Sequence, residues 1–270
     1  MSEPKEPEIQ VVSDPEAGAI AAADHIAMVL AKTAADHGRV DWATTGGSTP
    51  VGIYERLIEP ALAAAVPWEA VHVWWGDDRY VPRDHPYSNV KAFDDIMLGI
   101  AATEEGTAGD TVPGVPIPID NVHPFRTGEA IGAGRGAAWC AGALADELRG
   151  APLDVVGGWP VFDLLLLGIG PDGHLLSVFA DSPAFGSPDL ALAIPAPTHI
   201  EPRVERVTLN PAVVATALDT LVVVYGADKA EAIGRIFGPE RDPRRIPGQV
   251  ARKRRATWIL DEAAATGLPS

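Results

Sequence analysis

The chain has 270 residues, 47% of them hydrophobic, and carries a formal charge of −16 from 37 acidic and 21 basic side chains. That length can bury a sizeable core, while the acidity argues against a nucleic-acid or anionic-membrane partner, because phosphate backbones are held by clustered lysine and arginine. A single cysteine, Cys140, excludes an internal disulfide framework and fits a reducing compartment.

The start, MSEPKEPEIQ, lacks the basic flank and apolar centre of a secretory signal, and no apolar run reaches the ~18 residues of a membrane span. Residues 1–8 are expected to form a flexible tail and 9–270 a single α/β domain, soluble and cytoplasmic, with no obligate protein partner. In chain order, residues 17–38 read as a helix, 39–45 (RVDWATT) as a strand, 50–64 as a helix and 71–75 (VHVWW) as a strand. Residues 88–100 read as a helix capped by Ser88, and 137–148 as another. The run LLLL at 164–167 suits a strand buried on both faces. RVTLN (206–210), LVVVYG (221–226) and ATWIL (256–260) read as strands, and DKAEAIGRIFG (228–238) as a helix ending at glycine. This alternation predicts an open, mostly parallel, Rossmann-like sheet with helices on both faces.

Two stretches rich in turn formers interrupt the pattern. Residues 103–120 read as an exposed insertion. Residues 237–255 contain the one dense basic cluster, at 252–255, which is either a solvated surface or a lure for an anionic substrate.

Three predicted strands end in polar, glycine-containing loops. ATTGGSTP (43–50) leads from a strand into a helix, so Thr45, Gly46, Gly47 and Ser48 either cradle a phosphate on free backbone amides or make a tight turn capped by Ser48 or Thr49. The loop matches neither the Walker nor the dinucleotide pattern, and no cofactor is expected. WWGDDRYVPRDHPYSN (74–89) places Asp77, Asp78 and Arg79 beyond a strand, with Ser88 and Asn89 following. These residues either orient sugar hydroxyls or a water, or form a salt-bridged loop. In LLLLGIGPDGHLLSVF (164–179), His174 stands beyond a strand end with Asp172 two residues before it. Convergence of three such loops favours a shared cleft in which the imidazole takes a proton from water and Asp172 fixes its tautomer. The remaining histidines, among them His199, have no comparable setting, and no metal-ligand pattern is present.

TTGGSTP, WWGDDRYVP with the later SN, and GIGPDGHLLSVF resemble, in order and spacing, the signature segments of 6-phosphogluconolactonases. RVTLN followed by YGADKAEAI is similar to that family's later arginine strand and Gly-x-x-Lys-Ala turn, so the likeness spans about residues 10–265. The resemblance implies the α/β fold shared with glucosamine-6-phosphate deaminases and hydrolysis of 6-phospho-D-glucono-1,5-lactone to 6-phosphogluconate. It places the phosphate on the 45–48 loop with Arg206 and Lys229, and makes His174 the general base with Asp172 orienting it. Arg79 supports charge at C1 or contacts ring oxygens. Asp77, Asp78 and Asn89 bind hydroxyls or organise the loop, and Gly170 joins the substrate-binding set.

The sequence departs from the family's usual pattern at Asp78, where glutamate is common, at Leu175 and Leu176, where threonine and alanine are common, and at Ala180, where proline is common. A deaminase would carry a glutamate five residues after the histidine, and Phe179 stands there. A non-catalytic sugar-phosphate sensor is the third reading, distinguished by indifference to loss of His174.

Overall fold

The protein is described from a computed structural model, which covers residues 6–100 and 114–269. Its elements in chain order are β1 (Glu8–Val12), α1 (Pro15–His37), β2 (Val40–Thr44), α2 (Thr49–Leu57), α3 (Pro60–Ala65), β3 (Val71–Trp75), β4 (Asp77–Arg79), α4 (Lys91–Ile96), β5 (Val122–His123), α5 (Thr127–Gly132) and α6 (Ala137–Gly150). There follow β6 (Val155–Val156), β7 (Trp159–Pro160), β8 (Leu164–Leu167), β9 (Ala191–Ile194), β10 (Arg206–Leu209), α7 (Val213–Thr216), β11 (Asp219–Val224), α8 (Ala230–Phe237), β12 (Ala256–Asp261) and α9 (Glu262–Ala265).

The apolar runs become the centre of a seven-stranded sheet, ordered β1-β12-β11-β8-β2-β3-β5, in which every pairing is parallel. Strands β2 and β8 are buried along their whole length, as a sheet with helices around it requires. The chain runs outward from β2 through β3 to β5, then returns to β8 on the other side of β2 and proceeds to β11 and β12. The order therefore reverses between β2 and β8, and the crevice beyond their carboxyl ends is where such sheets bind ligands.

Helix α1 starts at Asp14, whose carboxylate accepts the Ala17 amide at 2.9 Å, and ends at Gly38 with φ 72°. Among the described residues it is the one helix long and apolar enough to cross a bilayer. Its Ala22, Ala23, Ile26 and Leu30 are instead fully buried in the core. Edge-to-face contacts among Trp42, Tyr54, Phe93 and Trp75, at 5.2–6.3 Å, tie α2 and α4 to β2 and β3. The Tyr54 hydroxyl shares a 2.7 Å hydrogen bond with Thr44 and donates to the Thr45 carbonyl at 3.1 Å, anchoring the end of β2 beneath the glycine loop.

Several expectations need correction. The helix expected at 50–64 is two helices, because Glu59 before Pro60 is extended (φ −62°, ψ 141°), as clash with the proline ring demands. The helix expected at 88–100 is reduced to α4. Ser88 does not cap it, since Val90 occupies that position and makes no side-chain cap bond. RVTLN is a strand, but it belongs to a separate antiparallel sheet, β4-β10-β9, whose β4 falls where the sequence predicts a loop. The short strands β1, β5 and β9 carry too little pattern to be found by periodicity. Of the tail expected at 1–8, Glu6 is paired with Arg252 at 2.7 Å and Glu8 already opens β1, while residues 1–5 lie outside the described residues.

Residues 103–113 of the insertion also lie outside the described residues. Its described end alternates: Val115 and Ile117 are buried and a Cβ on Gly114 would meet the Met97 carbonyl oxygen at 2.2 Å, whereas Pro116, Pro118, Ile119 and Asp120 are exposed as expected. In the basic cluster, Arg252 donates to the carbonyls of Ile236, Phe237 and Gly238 at the end of α8, and Lys253 donates to the Ala217 carbonyl at 2.9 Å. Burial lowers the Lys253 pKa to about 8. These two half-buried cations hold carbonyls at helix ends, so at these positions the cluster is a packed element and not the solvated surface expected.

Candidate active site

Beyond the carboxyl ends of β2 and β8 lies a cavity of about 530 Å³. Thr45, Gly46, Gly47, Ser48, Asp77, Arg79, Asn89, Gly170, His174, Arg206 and Lys229 all line it. The structure therefore gathers nearly every predicted site residue from four distant segments. Asp172 stands behind His174, and Asp78 lies outside the lining.

The glycine loop owes its shape to a neighbour. A Cβ on Gly46 would lie 2.2 Å from the Asn89 carboxamide, so only glycine lets the two approach, and Gly47 has φ 84°. Ser48 adopts helical backbone angles and makes no side-chain cap bond to α2, leaving its hydroxyl available to the cavity.

The second wall forms because Gly76 alone separates β3 from β4, which leaves the main sheet to pair with β10. Asn89 donates to the Asp77 carboxylate at 3.1 Å and to the Asp77 carbonyl at 2.8 Å, while Ser177 donates to the other Asp77 oxygen at 2.5 Å. Asp78 is fully buried and does not line the cavity. It accepts the amides of Asn89 at 2.7 Å and Arg79 at 2.8 Å and the Ser88 hydroxyl at 3.3 Å, so it organises the loop and touches no cavity space. Burial pushes its pKa up to about 7, reinforced by Asp77 and opposed by the two amides.

Register brings Arg79 and Arg206 directly opposite each other across the β4–β10 pair. Arg206 is 2% exposed and donates to the Pro202 carbonyl at 3.0 Å, and Arg79 donates to the Tyr87 carbonyl at 2.9 Å. The Nε of each is buried without a partner, and among the described residues neither forms an ion pair with a carboxylate. Burial and the adjacent Arg79 lower the Arg206 pKa, opposed by the nearby charges of Asp77, Asp78 and Asp172. Two like charges in register are unfavourable, and a desolvated guanidinium more so, until an anion joins them. Lys229 adds a third cation, partly offset by Asp228 at 3.0 Å.

The third wall is the loop after β8. Gly170 is required because a Cβ there would lie 2.0 Å from His174 Nδ1, and Gly173 turns with φ 87°. His174 Nδ1 lies 2.5 Å from Asp172 Oδ1, and its ring tilts against Phe179 at 4.7 Å. Burial alone would raise the Asp172 pKa, but hydrogen bonds and charge from His174 and His199 outweigh it and hold the carboxyl well below the usual range. Asp172 is therefore ionised and only accepts, which puts the proton of neutral His174 on Nδ1 and leaves Nε2 as the basic nitrogen. Leu176, at a position where the family commonly has alanine, lines the cavity with φ 53°.

Sequence reasoning missed His199, which lies 2.8 Å from Asp172 Oδ2, and Ile200, Glu201, Tyr225 and Asp228 in the cavity wall. Asp228 could have been flagged as Lys229's neighbour. The 195–205 loop offers no periodic or glycine signal.

Residues 13–260 match the family model of glucosamine-6-phosphate isomerases/6-phosphogluconolactonase. The chain belongs to this family. It is 34% identical over 240 residues to a 6-phosphogluconolactonase of Synechocystis sp., covering 88% of this chain and 89% of that one. It is 31% identical over 265 residues to the 6-phosphogluconolactonase of Mycobacterium tuberculosis, covering 97% and 98%. The solved 6-phosphogluconolactonase of Trypanosoma brucei superposes with a TM-score of 0.81 at 27% identity, covering 98% of this chain and all of that one. The family's Rossmann-like architecture thus accounts for nearly the full length of the chain.

Proposed function

We propose that this chain hydrolyses 6-phospho-D-glucono-1,5-lactone to 6-phosphogluconate, with His174 as general base. The observation that carries the reading is one cavity whose walls hold both a cationic pair without an ion-paired carboxylate among the described residues, Arg79 and Arg206, and an imidazole fixed by a carboxylate, His174 on Asp172. The phosphate lies on the 45–48 loop with Arg206 and Lys229, each charge-assisted bond contributing about 1.5–3 kcal/mol. That anchorage points the lactone carbonyl toward His174.

His174 Nε2 takes a proton from water as the water oxygen bonds to C1. Asp172 stabilises the imidazolium through Nδ1, and Arg79 faces the oxyanion. Collapse of the tetrahedral species breaks the bond from C1 to the ring oxygen, which receives the proton from His174. The acid formed ionises to the carboxylate. Asp77 and Asn89, clamped by Ser177 and by each other, present fixed polar groups to the sugar hydroxyls. Phe179, packed on His174, has no proton to give, which supports hydrolysis over ring-opening deamination.

The test is the time course of lactone disappearance, corrected for spontaneous hydrolysis, with the wild type and His174→Ala. The expected loss is about 10²–10⁴-fold, with affinity for 6-phosphogluconate retained. Wild-type turnover by the variant would overturn the assignment. Ammonia release from glucosamine 6-phosphate would overturn the reaction class. The enzyme is read as cytoplasmic and as acting without an obligate partner.

A further inference from the structure

Asp172 has two carboxylate oxygens, and the Asp172–His174 contact uses one. Oδ1 receives His174 Nδ1 at 2.5 Å and the His174 amide at 3.2 Å. Oδ2 receives His199 Nε2 at 2.8 Å from the 195–205 loop, far along the chain. Because an ionised carboxylate only accepts, the shared proton belongs to His199 Nε2. We propose that His199 is a positioning residue of the reaction, which fixes the plane and the basicity of the Asp172 carboxylate and through it the orientation and proton affinity of the His174 imidazole.

Two further features support this role, which rests on the reading of His174 as general base. Phe179 is a common wedge: its ring tilts against His174 at 4.7 Å and meets His199 edge-on at 5.5 Å, so both imidazoles are spaced by one rigid side chain. The 195–205 loop also supplies Ile200 and Glu201 to the cavity wall. The other charged groups around the trio are Arg235 of α8, which donates to the Asp172 carbonyl at 3.4 Å, Arg206, 5.9 Å above Phe179 and facing Arg79, and the Glu201–Arg203 pair at 3.0 Å. None of these donates to Oδ2, so among the described residues His199 is that oxygen's donor.

The direction of the effect follows. A donated hydrogen bond withdraws charge from Asp172, and its loss leaves a more basic carboxylate beside His174, which then releases its proton at higher pH. Steady-state pH–rate profiles of the wild type, His199→Ala, His199→Gln and His174→Ala test this. The His199 side chain is 53% exposed, so substitution leaves the core intact.

In His199→Ala, kcat should fall about fivefold with KM within about twofold, and the acid limb of kcat/KM should move up by about half a pH unit. His199→Gln keeps a neutral N–H donor and should return both toward wild type. An unchanged kcat and limb in His199→Ala, or a rise in KM alone, would overturn the proposal, the latter marking His199 as a loop tether. If His174→Ala keeps full turnover, the general-base reading falls and this proposal falls with it. If His174→Ala is inactive while His199→Ala behaves as wild type, the proposal alone fails.

Discussion

Two histidine networks sit at different levels of the same sheet, and they differ in whether a ring nitrogen is left open to the cavity. Within the sheet, Arg39 donates to His72 Nε2 at 2.7 Å, His72 Nδ1 meets His123 Nε2 at 3.0 Å, and His123 Nδ1 meets Glu147 at 2.6 Å. His123 also stacks on Trp74 at 4.0 Å. Every ring nitrogen in that chain is engaged. Beyond the carboxyl edge, His174 has a partner on Nδ1 and, among the described residues, none on Nε2. The same residue types thus make a closed structural relay between packed strands and an open one where glycine loops leave space.

The open network should respond most strongly, and in turnover. Asp172→Asn, which can donate where Asp172 only accepts, should invert the His174 tautomer and cut kcat by about 10²–10⁴-fold, as loss of a carboxylate orienter does elsewhere, measured by lactone turnover with 6-phosphogluconate affinity as control. Next, Arg206→Met should raise KM about 10- to 100-fold, by loss of one or two charge-assisted bonds. It should also raise the melting temperature of the ligand-free protein, because a buried charge without a carboxylate partner is removed. A lower ligand-free melting temperature would show that Arg206 is already compensated.

The closed network should respond in stability rather than rate. Burial, with the positive charge of Arg39, lowers the His72 pKa to about 4, against 6.5 for an ordinary imidazole. The unfolded chain therefore binds more protons between these values, and stability is lost as pH falls from about 6.5 to about 4. His72→Gln should remove about 1 kcal/mol of that pH dependence while leaving kcat within about twofold. Thermal unfolding across that range checks it. The smallest effect is expected at Asp78, whose native pKa of about 7 exceeds the ordinary 3.8. Here the folded state holds the extra proton, so stability falls as pH rises from about 4 to about 7. Asp78→Asn should be near neutral at pH 5 and stabilising by roughly 1 kcal/mol at pH 8, read from unfolding midpoints.

The central strands were legible because burial on both faces leaves continuous apolar runs such as Leu164 to Leu167 and Val222 to Val224. The site was legible where a strand had to stop: Gly46, Gly76 and Gly170 each permit an approach that a Cβ would block, and their polar neighbours follow in sequence. β4 was not legible, since Asp-Asp-Arg has no strand propensity and pairs only because β10 arrives from 127 positions later in register with it. His199 was invisible for a related reason. Its partner is a carboxylate 27 residues away, reached through a loop with no repeating pattern.

The facing guanidinium groups of β4 and β10 also tie the enzyme's heat tolerance to its surroundings. Any small oxyanion that settles between them adds to folding free energy by mass action, about 2.7 kcal/mol at a hundred times its dissociation constant. The protein purified into a phosphate-free buffer should therefore melt earlier than the same protein in a phosphate-rich solution, with no change in a single contact elsewhere.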